Sequence, residues 1–188
     1  EKGGWQDRRT AERFAQFAGM MAAHFSGRVS HFITLNEPQI VLKLGYADGI
    51  HAPGKRLSLP GLVSCWKNLM LAHGLSFRAI RNAAPEALIG IASTGKLCYP
   101  HSPADEDAAR QETFRLTDAD WMFTHPIVLD AVCLGRAEPE AGALRKLLSE
   151  VTPEEWDTMH AVPDFIGVNS YNGSEIAAGP DGVPVYLP

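Results

Sequence analysis

Short β-branched runs alternate along this chain with long helical stripes, and that alternation leaves few folds open. Phe14, Phe17, Ala18, Met21 and Phe25 recur at helical spacing, with Thr10 as the expected cap. Leu62, Trp66, Leu69, His73, Phe77 and Ile80 form a longer stripe that ends before Pro85. Between the two lies His31-Phe32-Ile33-Thr34-Leu35-Asn36, short, β-branched and aromatic, which predicts a strand. Ala87 to Ala92 and Asp164 to Asn169 are runs of the same kind. A helical region is expected from Asp105 to about Leu116. Thr152-Pro153-Glu154-Glu155 is a helix start, with a threonine cap, proline at the first position and glutamate three residues on. Strands alternating with helices of this length argue for parallel βα units, an α/β fold. Only three strands stand out, and a sheet of three would leave two raw edges. The chain is therefore either a small open sheet or a slice of something larger. The tail from Gly179 to Pro188, rich in proline and glycine, reads as loop.

At 188 residues and 45% hydrophobic the chain can bury a core, and no internal repeat divides it. Seventeen basic residues against 22 acidic ones give no electrostatic case for nucleic acid. The apolar runs fall short of the ~20 residues a membrane span needs. Glu1 to Thr10 is polar and charged, unlike a secretory signal. Cys65, Cys98 and Cys133, odd in number and widely spaced, suit neither a disulfide framework nor a zinc site. They predict free buried thiols and a cytoplasmic setting.

Gly90-Ile91-Ala92-Ser93-Thr94-Gly95-Lys96 follows a strand and matches most of a phosphate-binding loop. Leu97 stands where a hydroxyl should meet magnesium, and Cys98-Tyr99-Pro100 cannot open the required helix. It reads as a strand end running into a loop. The seven histidines form no metal pattern, and His73, on an apolar stripe, is expected to be a hydrogen-bonded core histidine. No Gly-x-Ser-x-Gly elbow is present.

Thr34-Leu35-Asn36-Glu37-Pro38 is different. A strand ending in Asn-Glu-Pro delivers an amide and a carboxyl side by side at its carboxyl end. Pro38 removes a backbone donor and stops the strand there. In βα barrels that end of the sheet carries the chemistry, and a partly desolvated carboxyl in such a place can hold a proton near neutral pH. On these five residues alone, a solvated loop glutamate is the alternative.

Several pieces occur in one order: Gly3-Gly4-Trp5, the Phe14 to Phe25 helix, Arg28-Val29, Thr34 to Pro38, and Gly45-Tyr46. Gly49-Ile50-His51-Ala52-Pro53-Gly54, Leu71-Ala72-His73, Ile89-Gly90-Ile91 and Asp164-Phe165-Ile166-Gly167-Val168-Asn169 follow. With them the chain resembles glycoside hydrolase family 1, the β-glucosidases and their 6-phospho relatives, over nearly all its length. The resemblance implies a partial (β/α)₈ barrel, about strands four to six with their helices, residues 1–188 being the central portion of a single barrel domain. It implies that Glu37 is the catalytic acid/base at the end of the fourth strand, and that Asn36 bonds the sugar 2-hydroxyl. Asn169 and Tyr171 match the first and third residues of the family's Asn-Tyr-Tyr, with Ser170 in place of the middle tyrosine, and the resemblance implies that the third-position tyrosine hydroxyl supports the nucleophile. His51 matches a loop position on the leaving-group side, where a plain loop histidine is the alternative. A β-linked glycoside is the implied partner, with no metal or organic cofactor, because two carboxylates and water suffice.

The departures point to a slice. The nucleophile segment Thr-Glu-Asn-Gly of the seventh strand does not occur. Nor do the Gln near the first strand, the His-Trp of the third, or the Trp and Glu after the eighth. Region Thr124 to Pro139 lacks the family's Gly-x-Tyr-Pro turn. Asp164 opens a strand, at the wrong end for a nucleophile, and Glu175 stands at the right end where the family uses no carboxylate. A complete barrel takes ~250 residues. The expectation is a β-glycosidase segment holding the acid/base half of the site, with a non-catalytic carbohydrate-binding remnant as the alternative. The inner face of the His31 to Asn36 strand, with Phe32 or Ile33, should then meet water.

Overall fold

The computed structural model describes residues 3–188. Its main sheet has three strands, β1 (His31–Asn36), β2 (Leu88–Thr94) and β4 (Phe165–Asn169), ordered β1-β2-β4 and parallel throughout. Phe32 lies opposite Ile89 and Ile91 opposite Ile166. The fold is α/β, and its three parallel strands with helices on one face have the build expected of an arc of a (β/α)₈ barrel.

Helices cover one face. The first, α1 (Arg8–Phe25), is capped by Asp7 rather than Thr10. The Asp7 carboxylate accepts from the Arg9 N–H at 3.0 Å and grips the Arg9 guanidinium, so its pKa falls to about 2. Thr10 lies inside the first turn, its hydroxyl donating to the Gly4 carbonyl. Then α2 begins at Pro38–Ile40 and widens into a π-helix over Val41–Ala47. The 25-residue α3 (Leu59–Ala83) carries the expected stripe into the core beside Leu42, Tyr46 and Ile91. Gly74 lets α3 pass close to α7 (Pro153–Met159), where a Cβ would collide with the Thr158 carbonyl. At the start of α7 the Thr152 hydroxyl accepts from Glu155 N–H, and the Glu155 carboxylate accepts from Thr152 N–H.

Three regions depart from expectation. A second sheet, β3 (Cys98–Pro100), β5 (Ser174–Ala178) and β6 (Pro184–Tyr186), packs on α4 (Glu106–Phe114). The tail expected as loop therefore holds β6, which turns back through Gly182 (φ 72) and pairs antiparallel with β5. These strands escape detection because two are three residues long and each of those contains a proline. The Thr124 to Pro139 region, which lacks the family's turn, contains α5 (Pro126–Leu134), begun by proline and closed by Gly135 in the left-handed region. A short α6 (Ala143–Leu148) follows.

Cys65 and Cys98 are buried free thiols, and Cys133 is half-buried. His73 is fully buried, with Nε2 2.8 Å from the Ala161 carbonyl and Nδ1 2.7 Å from the Thr34 hydroxyl. It is the core histidine expected. Burial holds its pKa down to about 4, against an ordinary 6.5. As pH falls, the unfolded chain takes that proton first, so stability is lost between pH 6.5 and 4. His73→Gln removes the dependence. Its cost in urea unfolding of the complete protein at pH 7.5 is expected to shrink by roughly 2–3 kcal/mol at pH 4.5. An equal cost at both pH values would show that His73 titrates normally.

The helical layer stops short of β4. Ile91 is fully buried, yet Ile166 beside it in register is 44% exposed and Val168 is 61% exposed. On the opposite face Ile33 is 50% exposed, as expected of the inner side of β1. Phe32 instead packs under the helices with Ala22, Ile80 and Ile89.

Candidate active site

Strand β1 ends in a register irregularity between Ile33 and Asn36, with Leu35 buried, so Asn36 and Glu37 emerge together at its carboxyl end. Pro38 then starts α2, and the chain turns so abruptly that Glu37 adopts φ 48 and ψ 58. Among the described residues it is the single non-glycine in the left-handed region. Such a backbone costs about 1–2 kcal/mol and persists only where surrounding contacts hold it. Here the Glu37 N–H donates to the Ala92 carbonyl at 2.8 Å, and its own carbonyl accepts from Ile40 N–H at 2.9 Å.

Asn169 ends β4, two strands away, and its Nδ2 donates to Glu37 Oε1 at 2.6 Å and to Asn36 Oδ1 at 3.2 Å. The Thr94 hydroxyl, at the end of the intervening β2, steadies the Asn169 carbonyl at 3.0 Å. The Tyr171 hydroxyl donates to the same Glu37 Oε1 at 3.0 Å, and the neighbouring carboxylate raises the phenol's pKa. Four residues, 36, 37, 169 and 171, thus meet at the carboxyl ends of parallel strands across 132 to 134 positions of sequence. Glu37 is half-buried, while Asn36 and Tyr171 are exposed. Oε2 of Glu37 takes part in no hydrogen bond among the described residues.

His51 is not drawn into this group. It lies in the loop after α2, exposed, its backbone N–H bonded to the Leu44 carbonyl. No side-chain bond joins it to Glu37 or Asn169 among the described residues. Asp164 is held at the amino end of the sheet by Arg81 and the Ile89 N–H, and Glu175 lies on β5 with its carboxylate 2.8 Å from His101 Nδ1. Lys96, from the loop resembling a phosphate site, is spoken for by Glu112 and Asp120, each at 2.6 Å. A half-open depression of about 290 Å³ lies between residues 26–30 and 84–87, at the other end of the sheet.

Reasoning from sequence missed what stands behind Glu37. Gln39 is 1% exposed and its Nε2 donates to Ser93 Oγ at 2.7 Å and to the Thr124 carbonyl at 3.2 Å. Ser93 Oγ is in turn 2.9 Å from His125 Nδ1. The signal available was a glutamine opening an otherwise apolar Ile40-Val41-Leu42 run, and a serine inside a buried strand.

Parallel βα units with a carboxylate, two amides and a phenol gathered at the carboxyl ends of the strands describe a segment of a (β/α)₈ barrel at the end where such barrels carry their sites. The chain belongs to glycosyl hydrolase family 1, whose family model matches residues 1–182. It is 29% identical to β-glucosidase A of Thermotoga maritima over 180 residues, which cover 96% of this chain and 39% of that enzyme. It is 34% identical to β-glucosidase 25 of Oryza sativa subsp. japonica, covering 90% of this chain and 36% of the rice protein. Among solved structures, the virulence factor SghA in complex with its substrate analog salicin superposes with a TM-score of 0.77 at 27% identity, over 99% of this chain and 41% of SghA. The Thermotoga maritima β-glucosidase with noeuromycin gives 0.74 at 26% identity, over all of this chain and 41% of that one. The chain thus spans about two fifths of the length of the relatives it matches.

Proposed function

We propose that this chain is the central segment of a retaining β-glycosidase of the β-glucosidase kind, with Glu37 as its acid/base. The observation that carries the reading is the convergence of Asn36, Asn169 and Tyr171 on the Glu37 carboxyl at the end of β1. Glu37 protonates the departing glycosidic oxygen, then takes a proton from the water that releases the sugar. Asn36 bonds the sugar 2-hydroxyl and Asn169 lines the site; the Tyr171 hydroxyl, which here donates to Glu37 rather than to a nucleophile, turns to support the nucleophile in the complete barrel. His51 lies toward the leaving-group side. The nucleophile belongs to a part of the barrel outside these 188 residues, about 5–5.5 Å from Glu37 across the anomeric carbon. In support, relatives named β-glucosidases match over most of the chain, and one superposing structure holds a substrate analog, salicin.

The stereochemistry tests it. The complete protein, given an aryl β-glucoside and followed by NMR in the first minutes, is expected to release the β-anomer of the sugar first. Release of the α-anomer would mean inversion and would remove the paired-carboxylate reading. Binding of the glycoside without turnover would favour a carbohydrate-binding remnant instead.

A further inference from the structure

The left-handed backbone of Glu37 is pinned from both sides to one strand end. Its N–H goes to the Ala92 carbonyl, and two residues later the Gln39 amide donates to Ser93, the next residue of that strand. Gln39 also donates to the Thr124 carbonyl, just ahead of α5. Both amide hydrogens are then in use. The Ser93 hydroxyl accepts from Gln39, so its own hydrogen is free to reach His125 Nδ1, leaving the imidazole hydrogen on Nε2. Because the Thr124 carbonyl can only accept, the amide cannot be turned the other way round. Gly95 lets the strand end approach α5 this closely, since a Cβ there would stand 2.9 Å from the His125 nitrogen.

This chain of bonds is not an economical way to fill space. Gln39 Oε1 is buried and has no partner among the described residues. A leucine would remove that unpaired oxygen but would leave the Thr124 carbonyl without the donor it now has and Ser93 without its amide partner, so the bonds, and not the volume alone, are what the glutamine supplies. What the glutamine adds is direction: it ties the turn that carries Glu37 to the end of β2 and the start of α5. Resting on the reading of Glu37 as the acid/base, we infer that Gln39, braced through Ser93 and His125, is a positioning residue that aims the Glu37 carboxyl at the departing oxygen.

Leaving-group dependence separates positioning from mere support. A dinitrophenolate departs without a proton, whereas an alkoxide needs one. In the complete enzyme, Gln39→Leu is expected to lower kcat/KM for methyl β-glucoside about 10- to 100-fold, as small misplacement of a reacting group does. For 2,4-dinitrophenyl β-glucoside the change should stay within about threefold. Ser93→Ala, which removes the brace and keeps the glutamine, should show the same split with a smaller loss, and it serves if the first variant folds poorly. An equal loss on both substrates, or no loss on either, would overturn the inference. Glu37→Gln run beside them keeps the two ideas apart. If that variant spares methyl β-glucoside, the acid/base reading fails. If it shows the split and the brace variants do not, only the positioning role falls.

Discussion

Glu37→Gln in the complete barrel is expected to reduce kcat/KM for an alkyl β-glucoside by about 10²–10⁴-fold, the usual contribution of a positioned general acid. The substitution isolates the proton. A glutamine oxygen can accept from Asn169 Nδ2 and from the Tyr171 hydroxyl just as Oε1 does at 2.6 and 3.0 Å, so the local arrangement survives. What is lost is the ability to give a proton to the leaving oxygen and to take one from water. For a dinitrophenyl glucoside the first of these hardly matters, so formation of the glycosyl-enzyme should remain fast and its hydrolysis become the slow step. The basic limb of the pH–rate profile should disappear with the carboxyl. Equal losses on good and poor leaving groups, or a basic limb that persists, would assign the acid to another residue.

How far this site could be read from the sequence depends on range. Glu37 and Asn36 announce themselves locally, because a strand that ends in Asn-Glu-Pro has its chemistry and its stop signal in adjacent residues. Asn169 and Tyr171 carry no local mark and came only through the family resemblance. Their bonds to Glu37 close loops of 132 and 134 residues, which no periodicity encodes. The scaffold behaves similarly. His31–Asn36, the α3 stripe, the Thr152 capping box and the core role of His73 follow from pattern and propensity. Several family pieces turn out to be one packing unit. Gly4 gives room to the Tyr46 hydroxyl, which accepts from Trp5 N–H, and Asn68 donates to the Trp5 carbonyl. For the start of α1 the pattern offers both Thr10 and Asp7 as good caps, and it is their contacts, Asp7 with Arg9 and Thr10 with the Gly4 carbonyl, that separate them. The second sheet was missed because its strands depend on each other and on α4 rather than on their own composition.

Residues 1–188 expressed by themselves are expected to show no hydrolysis of an aryl β-glucoside and to associate rather than persist as a stable monomer. The physical reasons lie in the sheet. In the order β1-β2-β4, both β1 and β4 are paired on one side only, and their outer edges offer unpaired N–H and C=O groups to any other strand. Strands of an intact parallel barrel are covered on both faces. Here Ile33 on the inner face and Ile166 and Val168 on the helical side of β4 remain substantially exposed. Each such side chain, if fully buried, would contribute about 1.5–3 kcal/mol, a large share of the 5–15 kcal/mol that separates folded from unfolded in an ordinary domain. Catalysis is expected to fail for a separate reason. Asp164 lies at the amino end of the sheet, and Glu175 lies on the second sheet beside His101, so neither is expected to attack the anomeric carbon from the face opposite Glu37. Size-exclusion chromatography with an aryl β-glucoside assay on each fraction tests both parts. Oligomers or aggregate without turnover are the expected result. Turnover in a monomer fraction, abolished by Glu37→Gln, would mean that these residues hold a nucleophile of their own and that Glu37 needs no partner from outside them.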